Sequence, residues 1–370
     1  MRTIYADNAA TTRMSQTAIR AMLPYLDQVY GNPSSLHSVG QRAMEALTEA
    51  RTRVAAALGA ANPREITFTS GGSEADNQAI RSVAAWGKRK GKTHIISTAF
   101  EHHAVLHTLK KLEKEGFTVT YLDVHENGLV TPEQVEAAIT PETCLVTIMY
   151  ANNEIGTIQP IREIGAVCRK AGVLFHTDAV QAVGHIPVNV QADNIDLLSL
   201  SAHKFHGPKG VGVLYAKKGV ILSSLIEGGA QERGKRAGTE NLAGIMGMTA
   251  ALEEAVSELP ETMPRLTALR DRLIAGLNEI PHGELNGDLE HRLPGNVSFC
   301  FEGIEGRACC CFWTTRGSAP PPAPPAPPAP WTPATSCWPS AAPTRWPTAP
   351  CGGAWTGIPP RPTWTPSSPP

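Results

Sequence analysis

From about residue 60 to residue 250 the chain repeats one pattern, in which short and almost wholly apolar runs alternate with longer stretches that carry apolar residues on one helical face. The runs fall at 65–70, 93–97, 143–149, 172–178, 195–201 and 210–215, each bounded by polar, glycine or proline residues. Such runs are the mark of strands buried on both faces, because the helices that connect parallel strands cover both sides of the sheet. The pattern predicts an α/β fold with a large doubly wound domain over 16–255. Beyond it, the periodicity of 261–277 predicts a helix that leads to a strand at 295–301, the opening of a smaller α+β domain over 256–306. Residues 1–15 are expected to pack with that small domain or across a dimer. A chain of 370 residues is long enough for two such domains.

Residues with chemical potential stand where the apolar runs end. Lys204 follows the run 195–201 and precedes a glycine-proline turn, after which a second run begins at Gly210. An ammonium between two buried strands is costly to desolvate, and the chemistry that uses one there is a Schiff base with a carbonyl cofactor such as pyridoxal phosphate. A solvated loop lysine is the other reading. Asp178 ends the run 172–178 and would keep a pyridine nitrogen protonated, or would cap a helix. Gln181, three residues on, suits a ring hydroxyl. The stretch 65–80 offers a strand, a glycine pair and a helix start, so that Gly72 and Ser73 form an anion cradle, although any strand-to-helix turn uses such glycines. Ser201 and His203 add donors from the lysine loop, as does Thr239 from the basic loop 233–239, unless that loop is a solvated turn. His102, after the run 93–97, either stacks on a ring and moves protons or is structural. Asn153, after the run 143–149, is a further hydrogen-bonding candidate for the cofactor.

Taken in order, the segments 5–12, 31–35, Gly72-Ser73, Glu101-His102, 152–156, His176-Thr177-Asp178, 201–204 and 236–239 resemble cysteine desulfurases of the type that serves nitrogenase and general iron–sulfur cluster assembly. The resemblance runs almost without gaps from residue 3 to Gly306. It implies a pyridoxal-phosphate-dependent aminotransferase fold of class V (fold type I), a homodimer, and conversion of L-cysteine to L-alanine. The sulfur would pass through an enzyme persulfide to an iron–sulfur scaffold or other sulfur acceptor protein. By the same resemblance Lys204 carries the Schiff base, Asp178 holds the pyridinium and His102 stacks on the ring. Gly72, Ser73, Asn153, Gln181, Ser201 and His203 would bind the cofactor, and Thr239 would reach the phosphate held by the partner subunit. A selenocysteine lyase or another aminotransferase-like enzyme is the neighbouring alternative.

After Gly306 the composition breaks. Residues 307–370 hold 19 of the 31 prolines and six of the seven tryptophans but no Leu, Val, Asp, Glu or Lys, so a disordered tail is expected there. One reading is a non-catalytic scaffold whose proline-rich tail recruits partner domains. The other is a shift of reading frame near codon 307. Counted without gaps, the family loop Ala-Ser-Ser-Gly-Ser-Ala-Cys-Thr-Ser-Gly falls at 320–329, and a GC-rich coding sequence for it, read one base late, gives Pro320 to Ala329 residue for residue. Ala326 then stands in the place of the persulfide cysteine, and Gly352 in that of the arginine which grips the substrate carboxylate. The chain as written is therefore expected to lack a sulfur acceptor. Cys144, Cys168 and Cys300 read as core thiols. The Cys309-Cys310-Cys311 triplet lacks metal-ligand spacing, and no metal is expected.

Charge and hydropathy narrow the setting. A net charge of -1 without a long basic run gives no nucleic-acid footprint. No stretch approaches 18 consecutive apolar residues, and the start lacks the basic-then-apolar order of a signal peptide. A cytoplasmic enzyme that neither spans a membrane nor binds nucleic acid is the expectation.

Overall fold

The computed structural model describes residues 5–303. The expectations for 307–370, with Ala326 and Gly352, lie outside the described residues. The chain opens with helices α1 (Gln16–Met22), α2 (Pro24–Asp27) and α3 (Ser38–Ala57). Strand β1 (Ile66–Thr69), helix α4 (Gly72–Arg89), β2 (His94–Thr98), α5 (His103–Lys114), β3 (Thr118–Leu122), α6 (Pro132–Ala138) and β4 (Thr143–Thr147) follow. Then come α7 (Ile161–Ala171), β5 (Leu174–Asp178), β6 (Leu197–Ser201), β7 (Gly212–Ala216), α8 (Leu242–Asn278), β8 (Gly283–Leu285) and β9 (Phe299–Phe301).

Seven strands form one sheet in the order β1-β7-β6-β5-β4-β2-β3. Strand β7 runs antiparallel to both of its neighbours, and the remaining pairs are parallel. Alternation along the strands divides the core into two layers. Ile95, Leu145, Leu197 and Leu214 pack with Ala79, Ile80, Val83, Val105 and Leu109 of α4 and α5. Their chain neighbours Ile96, Val146, Leu198 and Val213 point the other way, toward Leu47, Val54, Ile164, Cys168 and Met248 of α3, α7 and α8. Successive side chains on a strand face opposite sides, so a run with no polar interruption serves both layers. Each leucine fully buried in this way contributes about 1.5–3 kcal/mol.

Local signals set the helix ends. Thr131 and Gln134 form a reciprocal capping box on α6, with Pro132 at its first position. Helix α7 closes on Gly172, whose φ of 68° is left-handed, so the strand expected at 172–178 starts at Leu174. The helix expected at 261–277 is the second half of α8, which begins at Leu242 and contains Pro260 and Pro264. Residues 242–252 of that helix are all buried, so its first turns have no polar face to reveal a helical period. The expected domain boundary at 255/256 falls inside this helix. Strand β3 lies at the sheet edge and is half exposed, which hides it from a search for apolar runs.

Strands β8 and β9 make a separate two-stranded sheet. Phe299 and Phe301 share one face with ring centroids 6.1 Å apart, and Cys300 takes the other, where Asn286 Nδ2 donates to its Sγ at 3.1 Å. Cys300 is therefore exposed, which corrects its reading as a core thiol, whereas Cys144 and Cys168 are buried.

Candidate functional site

Strands β1, β2, β4, β5 and β6 all point their C-terminal ends to one edge of the sheet, the edge where open α/β folds hold ligands. Strand β1 delivers Gly71 and Gly72 to the start of α4. Gly71 has φ 152° and ψ -178°, a conformation open in practice only to glycine. Gly72 lies under Val180, and a Cβ there would come within 2.6 Å of Val180 Cγ2. This turn is one wall of a cleft of about 380 Å³, lined also by Ser70, Ser73, Ser201, His203, Lys209 and Thr11. The first turn of α4 and Lys209 make the cleft attractive to an anion. Glu74 lies in the same wall. Burial pushes its carboxyl up, but bonds from Arg236, at 3.0 Å, and Ser70, at 2.8 Å, outweigh that and hold it below its usual range.

Strand β6 ends at Ser201 and tightens into a short 3-10 turn, Ala202–Lys204. His185 Nε2 lies 3.0 Å from the Lys204 carbonyl and fixes this turn. Lys204 Nζ donates to the carbonyls of Ala9, at 2.5 Å, and Ala10, at 2.9 Å. Burial lowers its pKa, with Asp178 and Asp7 opposing. Residues 9–13 form a strap along the lysine loop. The Thr12 hydroxyl donates to the His203 carbonyl at 2.9 Å, and the Thr11 hydroxyl is 3.1 Å from His203 Nδ1. Gln181 Nε2 joins the strap by donating to the Ala9 carbonyl at 2.9 Å.

Strand β5 delivers Asp178, which is buried and accepts the Val180 N–H at 2.9 Å. Turns rather than a helix follow, so this bond closes a turn and the helix-capping reading of Asp178 does not hold. Burial raises the Asp178 pKa, and this bond and the charges of His102 and Lys204 oppose the rise. His102, beyond β2, caps α5 by accepting the Ala104 N–H at 3.1 Å and leaves its ring exposed at the same edge.

Residues not selected from the sequence hold these parts in place. Glu101 is buried and takes the Thr98 hydroxyl at 2.8 Å and the Met149 N–H at 2.9 Å, while burial pushes its carboxyl up to about 8. Asn152 accepts from Glu154 and Ile155 and donates to the Phe100 carbonyl at 3.0 Å, so it ties the loop after β4 to the His102 loop. Asn153 is half-buried beside it, and its backbone carbonyl accepts from Asn296 at 3.4 Å. Both Glu101 and Asn152 sit within segments that carried the resemblance, but only their packing distinguishes them.

Thr239 is exposed and lines a second cleft of about 140 Å³, which shares Ser70 and Gly210 with the first. The loop before it is anchored by Glu232, buried in a two-pronged bond to Arg51 at 2.7 Å and accepting the Phe68 N–H at 3.1 Å. That anchor holds Glu232 and Arg233 at φ 48° and 60°, left-handed values that side-chain-bearing residues rarely adopt.

Comparison with known proteins bears on the whole described region. The chain matches the aminotransferase class-V family over residues 4–317. It is 55% identical over 306 residues to the cysteine desulfurase IscS of Clostridium botulinum, which spans 82% of this chain and 77% of that relative. Among solved structures it is similar to a NifS-like protein, with a TM-score of 0.82 and 42% identity over 86% of each chain. It is also similar to SspA in complex with cysteine, with a TM-score of 0.75 and 37% identity over 85% of this chain and 88% of that one.

Proposed function

The chain belongs to the aminotransferase class-V family, and from that premise we propose how its own residues serve a pyridoxal-phosphate-dependent cysteine desulfurase, which converts L-cysteine to L-alanine and supplies sulfur for iron–sulfur cluster assembly. The observation that carries the proposal is the meeting of Lys204, Asp178 and the start of α4 at one sheet edge. When bound, pyridoxal phosphate supplies an electron sink for charge that develops at the substrate α-carbon.

The residues present suit that group. The cleft offers the α4 N-terminus, three serine hydroxyls, His203 and Lys209, a donor set for a phosphate. Asp178 is a buried carboxyl beside a lysine of lowered pKa, the pairing that would hold a protonated ring nitrogen and a carbonyl carbon. Lys204 would hold the carbonyl carbon, Asp178 the ring nitrogen, and His102 a ring face. Gly72, Ser73, Ser201 and His203 would hold the phosphate, and Gln181 and Asn153 would bond the ring substituents. With its pKa lowered by burial, Lys204 Nζ is neutral more often than a free lysine and serves to move the proton at the substrate α-carbon. His102, exposed at the same edge, exchanges protons with solvent.

Sulfur acceptance needs a thiolate on an accessible loop. Burial pushes the thiols of Cys144 and Cys168 up, to about 11 and about 12, so both stay protonated in the core. The place of the family's acceptor, Ala326, lies outside the described residues and offers no thiol. We infer that this chain binds the cofactor but lacks both the family's acceptor cysteine and the arginine that grips the substrate carboxylate, and that a frame shift near codon 307 accounts for both losses.

The homodimer belongs to the same proposal. Thr239, which lines the smaller cleft, would serve a second copy, and Leu23, Leu26, Tyr30 and Leu36 expose 55%, 63%, 71% and 92% of their surface on the α1–α3 side, an apolar area suited to burial between copies. No helix among the described residues is long and apolar enough to cross a membrane. We place the enzyme in the cytoplasm, where free thiols persist. The test is a titration of the full chain with pyridoxal phosphate and then L-cysteine. Visible absorbance that responds to cysteine and is lost in Lys204→Ala supports the reading. A chain that never takes up cofactor would favour a non-catalytic scaffold.

A further inference from the structure

Beside Asp178 lies a second carboxyl that no role so far uses. Asp76 stands one turn into α4 on the face that packs against the sheet, and is 1% exposed. Its Oδ1 has no hydrogen-bond partner among the described residues. One Asp76 oxygen, one Asp178 oxygen and a ring nitrogen of His102 all lie within 4.8 Å of one another. Two carboxylates this close in a dry site do not both ionise, because each raises the cost of charge on the other.

The surroundings decide which of the two keeps the proton. His102 lies within reach of both carboxyls, but Asp178 alone faces the charge of Lys204 and accepts the Val180 N–H. Asp76 faces burial and the carboxyls of Asp178 and Glu101, relieved only by the Ser199 hydroxyl. The nearest candidate cation is His176, whose Nε2 is 3.7 Å from Asp76 Oδ1. His176 does not serve, since it is wholly buried, its two ring nitrogens engage Thr147 at 2.8 Å and Ser199 at 3.0 Å, and burial pushes it down to about 3. The proton therefore stays on Asp76.

We propose that Asp76 is a positioning residue, a neutral carboxylic acid beside Asp178 that leaves Asp178 as the one ionised carboxyl of the pair. The inference rests on the reading of Asp178 as the partner of the cofactor ring nitrogen. An apolar residue at 76 would strip polar support from the Asp178 carboxylate and weaken its hold on that nitrogen. A less firmly protonated ring withdraws fewer electrons, and the imine at Lys204 then keeps its proton to higher pH.

The full chain loaded with pyridoxal phosphate provides two readouts. The infrared spectrum at pH 7 should contain the C=O stretch of a protonated carboxylic acid that is missing in Asp76→Asn, the difference between the two separating Asp76 from Glu101. The pH midpoint of the visible absorbance should stay in place in Asp76→Asn, which keeps a neutral hydrogen-bonding group of the same shape, and should rise by about one unit in Asp76→Leu. A midpoint that falls by about a unit in Asp76→Asn would reveal a lost negative charge and overturn the proposal. So would an unmoved midpoint in Asp76→Leu, or an infrared spectrum that is the same with and without Asp76. Should Asp76→Leu fail to fold, the infrared band and the Asn variant decide. A wild-type chain without visible absorbance strikes the cofactor reading beneath, whereas loss of the band alone strikes only the role of Asp76.

Discussion

The sheet edge around Lys204 and the sequence after Gly306 depend on the chain in opposite ways. The first gathers residues from the ends of β1, β2, β5 and β6, separated by over a hundred positions, so it exists only when the whole sheet is in register. The second comprises, by resemblance, the acceptor cysteine and the arginine that grips the substrate carboxylate, whose places at 326 and 352 hold alanine and glycine. A function spread over a fold survives the loss of a terminal stretch, and a function vested in that stretch does not. By that contrast the cofactor-binding half of the chain is legible while, by resemblance, the family's acceptor cysteine is lacking.

The sharpest way to break the contrast is to remove it. A one-base correction near codon 307 should restore leucine-rich peptides and a cysteine at 326, and raise alanine formation in the presence of a reductant by roughly 10³-fold or more. Source DNA that shows no missing or extra base would sink the frame-shift account. Next in size, Lys204→Ala in the corrected chain should cost about 10²–10⁴-fold in alanine formation, and Lys204→Arg should not rescue it.

The pH dependence of stability probes the buried shell of the same edge. Glu101 is raised from 4.5 to about 8 on folding, so between those values the native state keeps a proton that the unfolded chain has lost. Stability contributed by the protonated form is present below about 4.5 and falls as pH rises toward 8. Relative to Glu101→Gln, which never ionises, the wild type should lose up to roughly 4 kcal/mol between pH 5 and pH 9, read from urea midpoints. An equal difference at both pH values would mean that Glu101 is ionised throughout. His176 works in the opposite sense, since a folded value of about 3 makes stability rise with pH up to its unfolded value of 6.5.

Smaller effects sharpen the two ends separately. Gly72→Ala drives a methyl against Val180 and should cost about 1–3 kcal/mol while weakening cofactor retention, measured by thermal unfolding with and without pyridoxal phosphate. Thiol labelling of the native chain should modify Cys300 and spare Cys144 and Cys168, as mapped by peptide mass. Rapid labelling of Cys144 would contradict its burial between α4 and the sheet.

How far the sequence reaches follows the same division. Strands buried on both faces announce themselves as apolar runs, which is why β2, β4, β6 and β7 were visible within a residue or two and the half-exposed β3 was not. Positions at strand ends were visible too, and the structure brings Gly72, Ser73, Asp178, Ser201, His203 and Lys204 to one edge. What the sequence hides is anything set by distant contact. The strap of Ala9 and Ala10 over Lys204 spans almost two hundred residues, and the division of labour between Asn152 and Asn153 depends on which one turns inward to Phe100. Asp76 gave one faint signal, an acid beside Ala75, Ala79 and Ile80 on a buried helical face. Nothing local told that its neighbour would be Asp178.

The central claim is that this chain carries a working cofactor site built on Lys204. Incubating the full chain with pyridoxal phosphate, reducing it with borohydride and mapping its peptides by mass tests that claim directly. The account predicts one stable cofactor adduct, on the peptide that contains Lys204. No adduct, or cofactor spread over exposed lysines with Lys204 unmodified, would contradict it.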